Sequence, residues 1–322
     1  MTHFDVFNGD ADGICALHQL RLATPKDATL ITGVKRDIAL LQRADAKAGD
    51  SVTVLDVSAA VNREALVALL ERGVRVDYFD HHFAGDLPRH PNLTGTIDPS
   101  PGVCTGMLVD RHLGGRFRAW AVVAAFGDNL GSEANALAES LPPLGAQLQD
   151  LRELGETLAY AGYGDAEADL IVHPAVLYRT LHVHADPIAF IRGEPLYRSI
   201  SDSRRADLEL ARRAEPQFQL TGAKLYVLPD APWSRRVRGV FANERVERDS
   251  ARACAVLTHK AMGGYTVSVR APLRTPTGAG AGADALCRKF PTGNGRVRAA
   301  GINHLPQDRL PEFVQQLDAA FP

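Results

Sequence analysis

Four acidic motifs constrain this sequence more strongly than any other feature, because each of them directly follows an apolar run. Runs of this length and composition are typical of buried strands, so the motifs are predicted to lie where strands end. In a parallel sheet, the carboxyl ends of different strands meet at one edge, where ligands bind. The sequence therefore predicts a single polar cluster made from Asp10-Ala11-Asp12-Gly13, Asp56, Asp80-His81-His82 and Gly127-Asp128-Asn129.

The first 130 residues alternate apolar runs with helical patterns. Between the runs, Ile14, Leu17 and Leu20 recur on one helical face, and Gly73 is suited to ending a helix. An alternation of strand and helix favours a parallel sheet with helices on both faces. We therefore predict a doubly wound α/β domain with the strands Phe4–Phe7, Thr29–Thr32, Val52–Val57, Val74–Phe79 and Gly95–Ile97.

The remaining sequence divides into a helical completion of this domain, a connector and a smaller unit. Residues 133–185 are rich in Ala and Leu, and residues 186–222 contain several prolines and a charged helix. The predicted organisation is a domain over 1–185, a helical connector over 186–222 and a smaller α/β domain over 223–322. The strands predicted for the smaller domain are Lys224–Leu228, Ala253–Thr258, Tyr265–Val269 and Val297–Ile302, and its predicted helices are Arg235–Asp249, Ala281–Phe290 and Gln307–Leu317.

The net charge of −2 conceals an asymmetry between two parts of the chain. Residues 1–185 hold 15 Lys and Arg against 24 Asp and Glu, whereas residues 186–322 hold 21 against 14. An acidic part suits divalent cations and a basic part suits a polyanion. Charged surface can produce the same division by chance, so the asymmetry supports a metal-dependent enzyme for polyanions without requiring one.

Composition also excludes several classes of protein. No stretch approaches the roughly 20 consecutive apolar residues of a membrane helix, and no secretory signal pattern is evident at the N-terminus. Cys15, Cys104, Cys254 and Cys287 are widely spaced without a C-x-x-C pair, which argues against a zinc knuckle or a disulfide framework. We therefore expect a cytoplasmic protein with reduced, mostly buried thiols.

The residue types in the motifs match the preferences of hard divalent cations. Mn²⁺ and Mg²⁺ bind carboxylate oxygen, and Mn²⁺ also accepts imidazole nitrogen. Asp10 and Asp12 are spaced to reach two different ions, with Asp56 between them, and two such ions would promote hydrolysis of a phosphoester. Taken singly, each motif has a plainer explanation as a capped turn, a helix cap or a chance match. Their joint occurrence favours a metal centre.

The four motifs, with Asn8-Gly9 before the first and Val54-Leu55 before the second, resemble those of the DHH phosphoesterase superfamily. The resemblance covers the predicted first domain. It implies two-metal phosphoester hydrolysis, the chemistry shared by RecJ-like exonucleases, nanoRNase-type enzymes, cyclic-dinucleotide phosphodiesterases and family II inorganic pyrophosphatases. The family resemblance therefore indicates a hydrolase.

The resemblance also implies a cofactor and roles for individual residues. Two ions are implied, with Mn²⁺ favoured and Mg²⁺ as the alternative. The implied ligands are Asp10 for the first ion, Asp12, His81 and Asp128 for the second, and Asp56 for both. Asp80 would orient the site from behind the ligands and His82 would contact the scissile phosphate. The candidate catalytic residues are thus Asp56, Asp80 and His82.

Two positions of the first motif depart from the family pattern. Many members have a histidine four residues before the first aspartate, where this sequence has Val6. RecJ-like members have a further aspartate where this sequence has Asn8. Asn8 offers only a neutral amide oxygen, so it is a weaker candidate ligand and the first ion is expected to be held less tightly.

Several candidate substrate contacts lie outside the four motifs. Ser100 and Thr105 resemble the family's Ser/Thr-rich turn before a helix, where hydroxyls and amides bind phosphate or simply cap the helix. The smaller domain resembles the DHH-associated C-terminal domain, and Arg270 ends a strand as its substrate-binding arginine does. Gly293 and Gly295 belong to a predicted loop whose backbone could cradle a phosphate.

The same predicted loop contains a further departure from the family. Most relatives have Gly-Gly-Gly-His before Ala-Ala-Gly, and here Asn294 and Arg296 replace a glycine and the histidine. Arg296 could clamp a phosphate through two parallel hydrogen bonds. The missing histidine leaves the identity of the substrate open.

The favoured hypothesis is a Mn²⁺-dependent phosphodiesterase or phosphatase acting on a linear dinucleotide, a nano-RNA or a 3′-phosphorylated nucleotide. One alternative is a cyclic-dinucleotide phosphodiesterase. Another is a nucleotide sensor with weak catalysis, which the departures at Val6, Asn8 and Arg296 favour. The expected partner is a short oligonucleotide or dinucleotide, with no membrane and no long duplex. A homodimer is a further expectation, because relatives are often dimers.

Overall fold

The computed structural model describes residues 1–273 and 282–322 of a chain that forms two compact units. The first unit comprises Met1–Ser203 and the second comprises Arg204–Pro322. The division lies inside one continuous helix, α9 (Pro195–Arg212), within the segment that the sequence predicts as a connector. The domain limits predicted at residues 185 and 223 therefore lie on either side of the observed division.

A parallel sheet of five strands forms the centre of the first unit, and its order is β2-β1-β3-β4-β5. All neighbouring strands run parallel, and the register pairs Phe7 with Leu55 and Leu55 with Phe79. The carboxyl ends of β1, β3 and β4 consequently lie side by side. The strands are β1 (His3–Phe7), β2 (Thr29–Ile31), β3 (Ser51–Leu55), β4 (Arg75–Asp80) and β5 (Leu93–Ile97).

Eight helices of the first unit precede α9 in the described residues. They are α1 (Ala11–Ala23), α2 (Arg63–Glu71), α3 (Thr105–His112), α4 (Arg118–Gly127), α5 (Gly131–Ala138), α6 (Gln147–Ala161), α7 (Pro174–His182) and α8 (Pro187–Gly193), with short 3₁₀ turns at Leu41–Arg43 and Glu167–Asp169. Successive residues of a strand face opposite sides of a sheet. Val52 and Val54 share a core cluster with Leu66 of α2, whereas the hydroxyl of Thr53 accepts a hydrogen bond from Arg21 of α1. The predicted doubly wound α/β fold is confirmed.

Asp128 does not follow a strand, which corrects the prediction that all four motifs lie at strand ends. The apolar run before it forms α4, whose residues 120–126 are buried. A short run that is buried all round has the same apolar pattern in a strand and in a helix. Asp128 follows the last residue of α4 and still reaches the strand ends, because its Oδ2 atom lies 3.8 Å from His81 Nε2.

The second unit contains a mixed sheet of six strands in the order β10-β11-β9-β8-β7-β6. Its strands are β6 (Phe218–Gln219), β7 (Ala223–Leu228), β8 (Ala253–His259), β9 (Tyr265–Arg270), β10 (Gly293–Arg296) and β11 (Ala299–Leu305). Its helices are α10 (Pro232–Arg248), α11 (Ala283–Cys287) and α12 (Leu310–Ala320), the last preceded by a 3₁₀ turn at Gln307–Arg309. Val267, Ile302 and Phe313 are fully buried in its core. The predicted smaller α/β unit is confirmed.

Three local predictions for this unit are corrected by the structure. The segment Gly293–Arg296, predicted as a loop, is the strand β10 and pairs antiparallel with Ala299–Ile302. The strand predicted from Val297 starts at Ala299, because residues 297–298 form the turn between β10 and β11. The helix predicted over Ala281–Phe290 is the shorter α11, and Ala281 itself lies outside the described residues.

Across residues 1–273 and 282–322, no helix has both the length and the apolar character needed to cross a membrane. All four cysteines are buried and free, as predicted.

Candidate metal centre

Four polar side chains, one from each sequence motif, converge where β1, β3, β4 and α4 end. We call this group the His81 cage, and its members are Asp12, Asp56, His81 and Asp128. The Nε2 atom of His81 lies 3.3 Å from Asp56 Oδ1, 3.8 Å from Asp128 Oδ2 and 3.9 Å from Asp12 Oδ2. One imidazole nitrogen thus faces three carboxylates.

The ring of His81 is oriented by its second nitrogen. Nδ1 lies 2.8 Å from the carbonyl oxygen of Val103, and because a carbonyl only accepts hydrogen bonds, Nδ1 carries the proton. In the neutral ring, Nε2 then presents a lone pair to the carboxylates. Metal-binding histidines usually donate their other N–H to a carbonyl or carboxylate in this way. The environment of His81 therefore fits a metal ligand.

Asp12 is held by the first turn of α3. Its Oδ2 accepts the backbone N–H of Thr105 at 2.8 Å, and its Oδ1 accepts that of Gly106 at 2.7 Å. Helix-start amides such as these lack partners within the helix. The amide of Thr105 thus binds Asp12, and its buried hydroxyl lies 3.5 Å from Asp56 Oδ1. The phosphate contact of Thr105 stays a prediction. Ser100 lies exposed in the preceding loop, and its substrate contact stays a prediction.

Asp56 combines backbone strain with a buried charge. Its φ is +57°, in the left-handed region that residues other than glycine seldom adopt. Burial, and then the charges of Asp12 and Asp10, raise the pKa of Asp56 well above its usual range. Strained backbone of this kind concentrates at functional sites. A bound cation would relieve the repulsion among these carboxylates.

The distances from His81 Nε2 to the three carboxylates also suit one divalent cation. Ligand atoms bound at about 2.1 Å from an ion lie about 3 Å apart when they are at right angles, and further apart at wider angles. His82 belongs to the same neighbourhood, since its ligand atoms and those of Asp56 and His81 lie within 4.8 Å of one another. His82 Nδ1 is 2.7 Å from Asp80 Oδ1, which leaves its Nε2 atom available to a ligand. Asp56 and His81 belong to both groups, and the cage adds the carboxylates of Asp12 and Asp128, so the cage is the candidate cation site.

Asp80 is buried beneath the centre and contacts His82 rather than His81. Its Oδ1 accepts the hydrogen bond from His82, while its Oδ2 has no hydrogen-bond partner among the described residues. Burial lowers the pKa of His82, but the hydrogen bond to Asp80 and the charge of Asp56 outweigh burial and raise it. Asp80 thus orients His82 and favours its charged form.

Asp10 lies beside the cage and caps α1. Its Oδ1 accepts the backbone N–H groups of Asp12 at 3.1 Å and Gly13 at 3.3 Å. The side-chain oxygen of Asn8 accepts the N–H of Asp10 at 3.3 Å, and its Nδ2 donates to the carbonyl of Lys35 at 3.3 Å. Both residues that the sequence suggests for a first ion therefore have partners within the protein.

Lys35 is a candidate functional residue that lies outside the four motifs. Its Nζ lies 2.5 Å from Asp10 Oδ2 and 3.5 Å from Asp128 Oδ1. Burial lowers the pKa of Lys35, but the neighbouring Asp10, Tyr163 and Asp128 outweigh burial and raise it well above its usual range. The residue follows β2 at the carboxyl edge of the sheet, and that position is the signal by which the sequence could identify it.

In the second unit, Arg270 ends β9, and its guanidinium makes several contacts within the unit. Nε donates to the side chain of Asn243, and Nη1 donates to Ser268 Oγ at 2.9 Å and to the Val269 carbonyl at 3.1 Å. Nη2 lies 3.4 Å from the Gly239 carbonyl. These contacts fix the orientation of the guanidinium, and its role in substrate binding stays a prediction.

The glycines of β10 are explained by close packing. A Cβ atom on Gly293 would lie 1.8 Å from the carbonyl oxygen of Cys287. Gly295 has a φ of +145°, and a Cβ atom there would lie 2.4 Å from Ala300 Cα. Close packing thus requires glycine at both positions, whether or not a phosphate binds there. Arg296 is exposed at the end of β10, and its phosphate contact stays a prediction.

Comparison with known proteins identifies the fold. No protein-family model and no curated protein matches the chain by sequence. Among solved structures, the exonuclease RecJ bound to manganese matches with a TM-score of 0.64 at 18% identity, over 100% of this chain and 91% of the RecJ chain. The chain has a RecJ-like fold. RecJ from Thermus thermophilus in complex with Mn²⁺ gives a TM-score of 0.62 at 19% identity, over 99% of this chain and 51% of that one.

A second kind of protein shares the RecJ-like fold. The pGpG-specific phosphodiesterase PggH from Vibrio matches with a TM-score of 0.56 at 13% identity, over 99% of this chain and 100% of that one. The DHH resemblance inferred from the four motifs is confirmed at the level of the fold.

Proposed function

We propose that this protein is a divalent-cation-dependent phosphoesterase for short nucleotides, with Mn²⁺ as the preferred cation. The proposal rests on the His81 cage, in which carboxylate oxygens lie 3.3, 3.8 and 3.9 Å from the Nε2 atom of His81. The carboxylates around that nitrogen repel one another, since, beside burial, the charges of Asp12 and Asp128 raise the pKa of Asp56, and oxygen ligands with an imidazole suit Mn²⁺. The presence of Mn²⁺ in RecJ structures of similar fold supports this choice.

The residues of the cage would hold the cation and the surrounding backbone would orient them. A bound divalent cation lowers the pKa of water and neutralises charge on a phosphoester. The start of α3 fixes Asp12 through two amides, and the Val103 carbonyl fixes the ring of His81. The left-handed backbone at Asp56 sets the direction of that carboxylate. Three of the proposed metal-binding side chains are therefore held in place before the cation binds, which favours tight and selective cation binding.

His82 is the proposed contact to the phosphate. It lies beside the cage, with Nδ1 3.7 Å from Asp56 Oδ1, and its side chain is 39% exposed. Asp80 holds the ring and favours its protonated form. A charged imidazole donates hydrogen bonds to phosphate oxygens and stabilises the negative charge that develops during hydrolysis.

Short nucleotides are the proposed substrates. RecJ is an exonuclease and PggH is a pGpG-specific phosphodiesterase, so two proteins of similar fold act on nucleic acid or on a dinucleotide. Residues 186–322 of this chain carry 21 Lys and Arg against 14 Asp and Glu, which suits an anionic substrate. Arg270 and Arg296 remain the proposed contacts to that substrate in the second unit.

A substrate panel tests the proposed function. Linear dinucleotides including pGpG, a cyclic dinucleotide and a 3′-phosphorylated nucleotide are incubated with Mn²⁺, with Mg²⁺ or with a chelator, and product release is measured. We expect Mn²⁺-dependent hydrolysis of a linear dinucleotide. His81→Asn should reduce the rate at least about 100-fold, because it removes the imidazole ligand. The surface variant Asp77→Asn should leave the rate unchanged.

Other results of the same panel would support the alternatives. Preferred hydrolysis of the cyclic substrate would identify a cyclic-dinucleotide phosphodiesterase. Tight nucleotide binding without turnover under any metal condition would contradict the enzyme and support a sensor.

A further inference from the structure

A positive charge of the chain itself lies next to the cage. The Nζ atom of Lys35 is 2.5 Å from Asp10 Oδ2 and 3.5 Å from Asp128 Oδ1. Asp128 is also a member of the cage, because its other oxygen lies 3.8 Å from His81 Nε2. The carboxylates of this centre are therefore partly neutralised before any cation binds.

The fold holds Lys35 in this position. Its backbone N–H donates to the carbonyl of Gly162 at 2.8 Å, and its carbonyl accepts from Asn8 at 3.3 Å. The segment before it lies so close to the first motif that a Cβ atom on Gly9 would be 2.0 Å from the Gly33 carbonyl oxygen. The side chain of Lys35 is 34% exposed. These contacts distinguish it from a mobile surface lysine.

The Asp10 side of the centre offers little for a second divalent cation. Asp10 Oδ1 accepts two backbone N–H groups of α1, and Oδ2 binds the ammonium of Lys35. A cation bound to Oδ2 at about 2.1 Å would share that oxygen with the ammonium, and like charges so close repel strongly. The side-chain oxygen of Asn8 already accepts the N–H of Asp10.

We propose that Lys35 supplies the second positive charge of this centre, so that the cage binds one divalent cation and Asp10 pairs with the ammonium. This inference rests on the proposed function, because it concerns the same cage. It replaces the two ions that the family resemblance implies with one ion and one lysine. Asp10 is then a helix cap and a partner of Lys35 rather than a metal ligand.

The number of Mn²⁺ ions bound per full-length chain tests this proposal. It is measured by titration monitored by electron paramagnetic resonance and by metal analysis after desalting. Wild-type protein should bind one ion. Lys35→Met removes the charge at similar side-chain length and should bind two ions, whereas Lys35→Arg keeps the charge and should bind one. Lys26→Met, which neutralises an exposed lysine, is the matched control and should also bind one.

Two results would overturn the role of Lys35: two ions in the wild type, or one ion in a folded Lys35→Met variant. Circular dichroism checks the folding of each variant. Should Lys35→Met not fold, Asp10→Asn decides, because asparagine also caps helices well. Asp10→Asn should bind one Mn²⁺ with an affinity within about tenfold of the wild type, and loss of that ion would contradict the proposal.

Failure of the proposed function has a different signature. Absence of any Mn²⁺ binding by the wild type, with His81→Asn indistinguishable from it, would contradict the cage itself. Two ions in the wild type together with Mn²⁺-dependent hydrolysis would leave the enzyme intact and remove only the role of Lys35.

Discussion

At the scale of single residues, Asp56 combines several features that oppose the stability of the folded protein. It has a φ of +57°, it is buried, and its burial and the charges of Asp12 and Asp10 raise its pKa. A residue chosen for stability alone would avoid each of these features. Such residues persist where the strained, charged arrangement serves a site.

Asp56→Asn should therefore stabilise the cation-free protein. Because the folded-state pKa of Asp56 is raised, the unfolded chain releases this proton first as pH increases, and stability falls above about pH 4. Asparagine lacks the charge and tolerates a positive φ. We expect a gain of about 1–2 kcal/mol in the free energy of unfolding at pH 7, measured with urea in the presence of a chelator. The gain should vanish near pH 3.

Asp77→Asn provides the control, because Asp77 is exposed on β4. Its effect on the free energy of unfolding should stay within about 0.5 kcal/mol. A loss of stability in Asp56→Asn at pH 7 would show that the carboxylate makes compensating contacts, contrary to this account.

The sequence reveals most of the centre at this scale, because aspartate and histidine are recognisable as cation ligands by type. Lysine is not recognised in this way, because its positively charged ammonium group does not bind a metal cation. The partners of Lys35, Asp10 and Asp128, lie far from it in sequence, so the pairing depends on the fold. The position of Lys35 after β2, at the carboxyl edge of the sheet, is the one sign of it in the sequence.

At the scale of elements, strands with alternating or continuous apolar runs could be predicted, and elements created by tertiary packing could not. The run before Asp128 is a helix because it is buried all round, which its apolar pattern does not distinguish from a strand. The glycine-rich β10 has low strand propensity. It is extended because it pairs antiparallel with Ala299–Ile302. A Cβ atom on Gly293 or Gly295 would clash with Cys287 or Ala300.

A buried ionic network connects β1, β3 and α1 in the first unit. Arg21 donates from Nε to Asp5 Oδ2 at 2.9 Å and from Nη2 to Thr53 Oγ1 at 3.1 Å. His3 Nε2 lies 3.0 Å from Asp5 Oδ1. Burial raises the pKa of Asp5, but the hydrogen bonds from Arg21 and His3 outweigh burial and lower it.

Arg21→Met should destabilise the protein by about 3–5 kcal/mol at pH 7, because it leaves the buried charge of Asp5 without its main partner. Since the folded-state pKa of Asp5 is lowered, its contribution to stability is present above about pH 4 and lost as pH falls through the folded value. Urea unfolding should therefore show a smaller loss at pH 3 than at pH 7. Arg75→Met, at an exposed position of β4, is the control, and equal losses at both pH values would refute this explanation.

At the scale of the whole molecule, each unit has its own sheet and its own charge character. The sequence indicates this organisation, because the parallel alternation ends before the connector and the charge balance changes near it. The division at Ser203 and Arg204 could not be predicted, because it falls inside one continuous charged helix. Composition locates the boundary between two units only where a helix ends at that boundary.

Mn²⁺ should stabilise the first unit specifically. All members of the cage lie within Met1–Ser203, and binding to the folded state alone adds about 2.7 kcal/mol at 100 times the dissociation constant. Hydrogen exchange of the full-length chain should therefore show new protection at the ends of β1, β3 and β4 and at the start of α3. Arg204–Pro322 should be unaffected by direct binding, and equal protection in both units would contradict a site confined to the cage.

Anomalous diffraction from crystals of the full-length protein grown with Mn²⁺ tests the central claim most directly. The account predicts one strong manganese peak within bonding distance of Asp12, Asp56, His81 and Asp128, with Lys35 still on Asp10. The absence of a peak in the cage at saturating Mn²⁺, or a peak only elsewhere, would contradict the account.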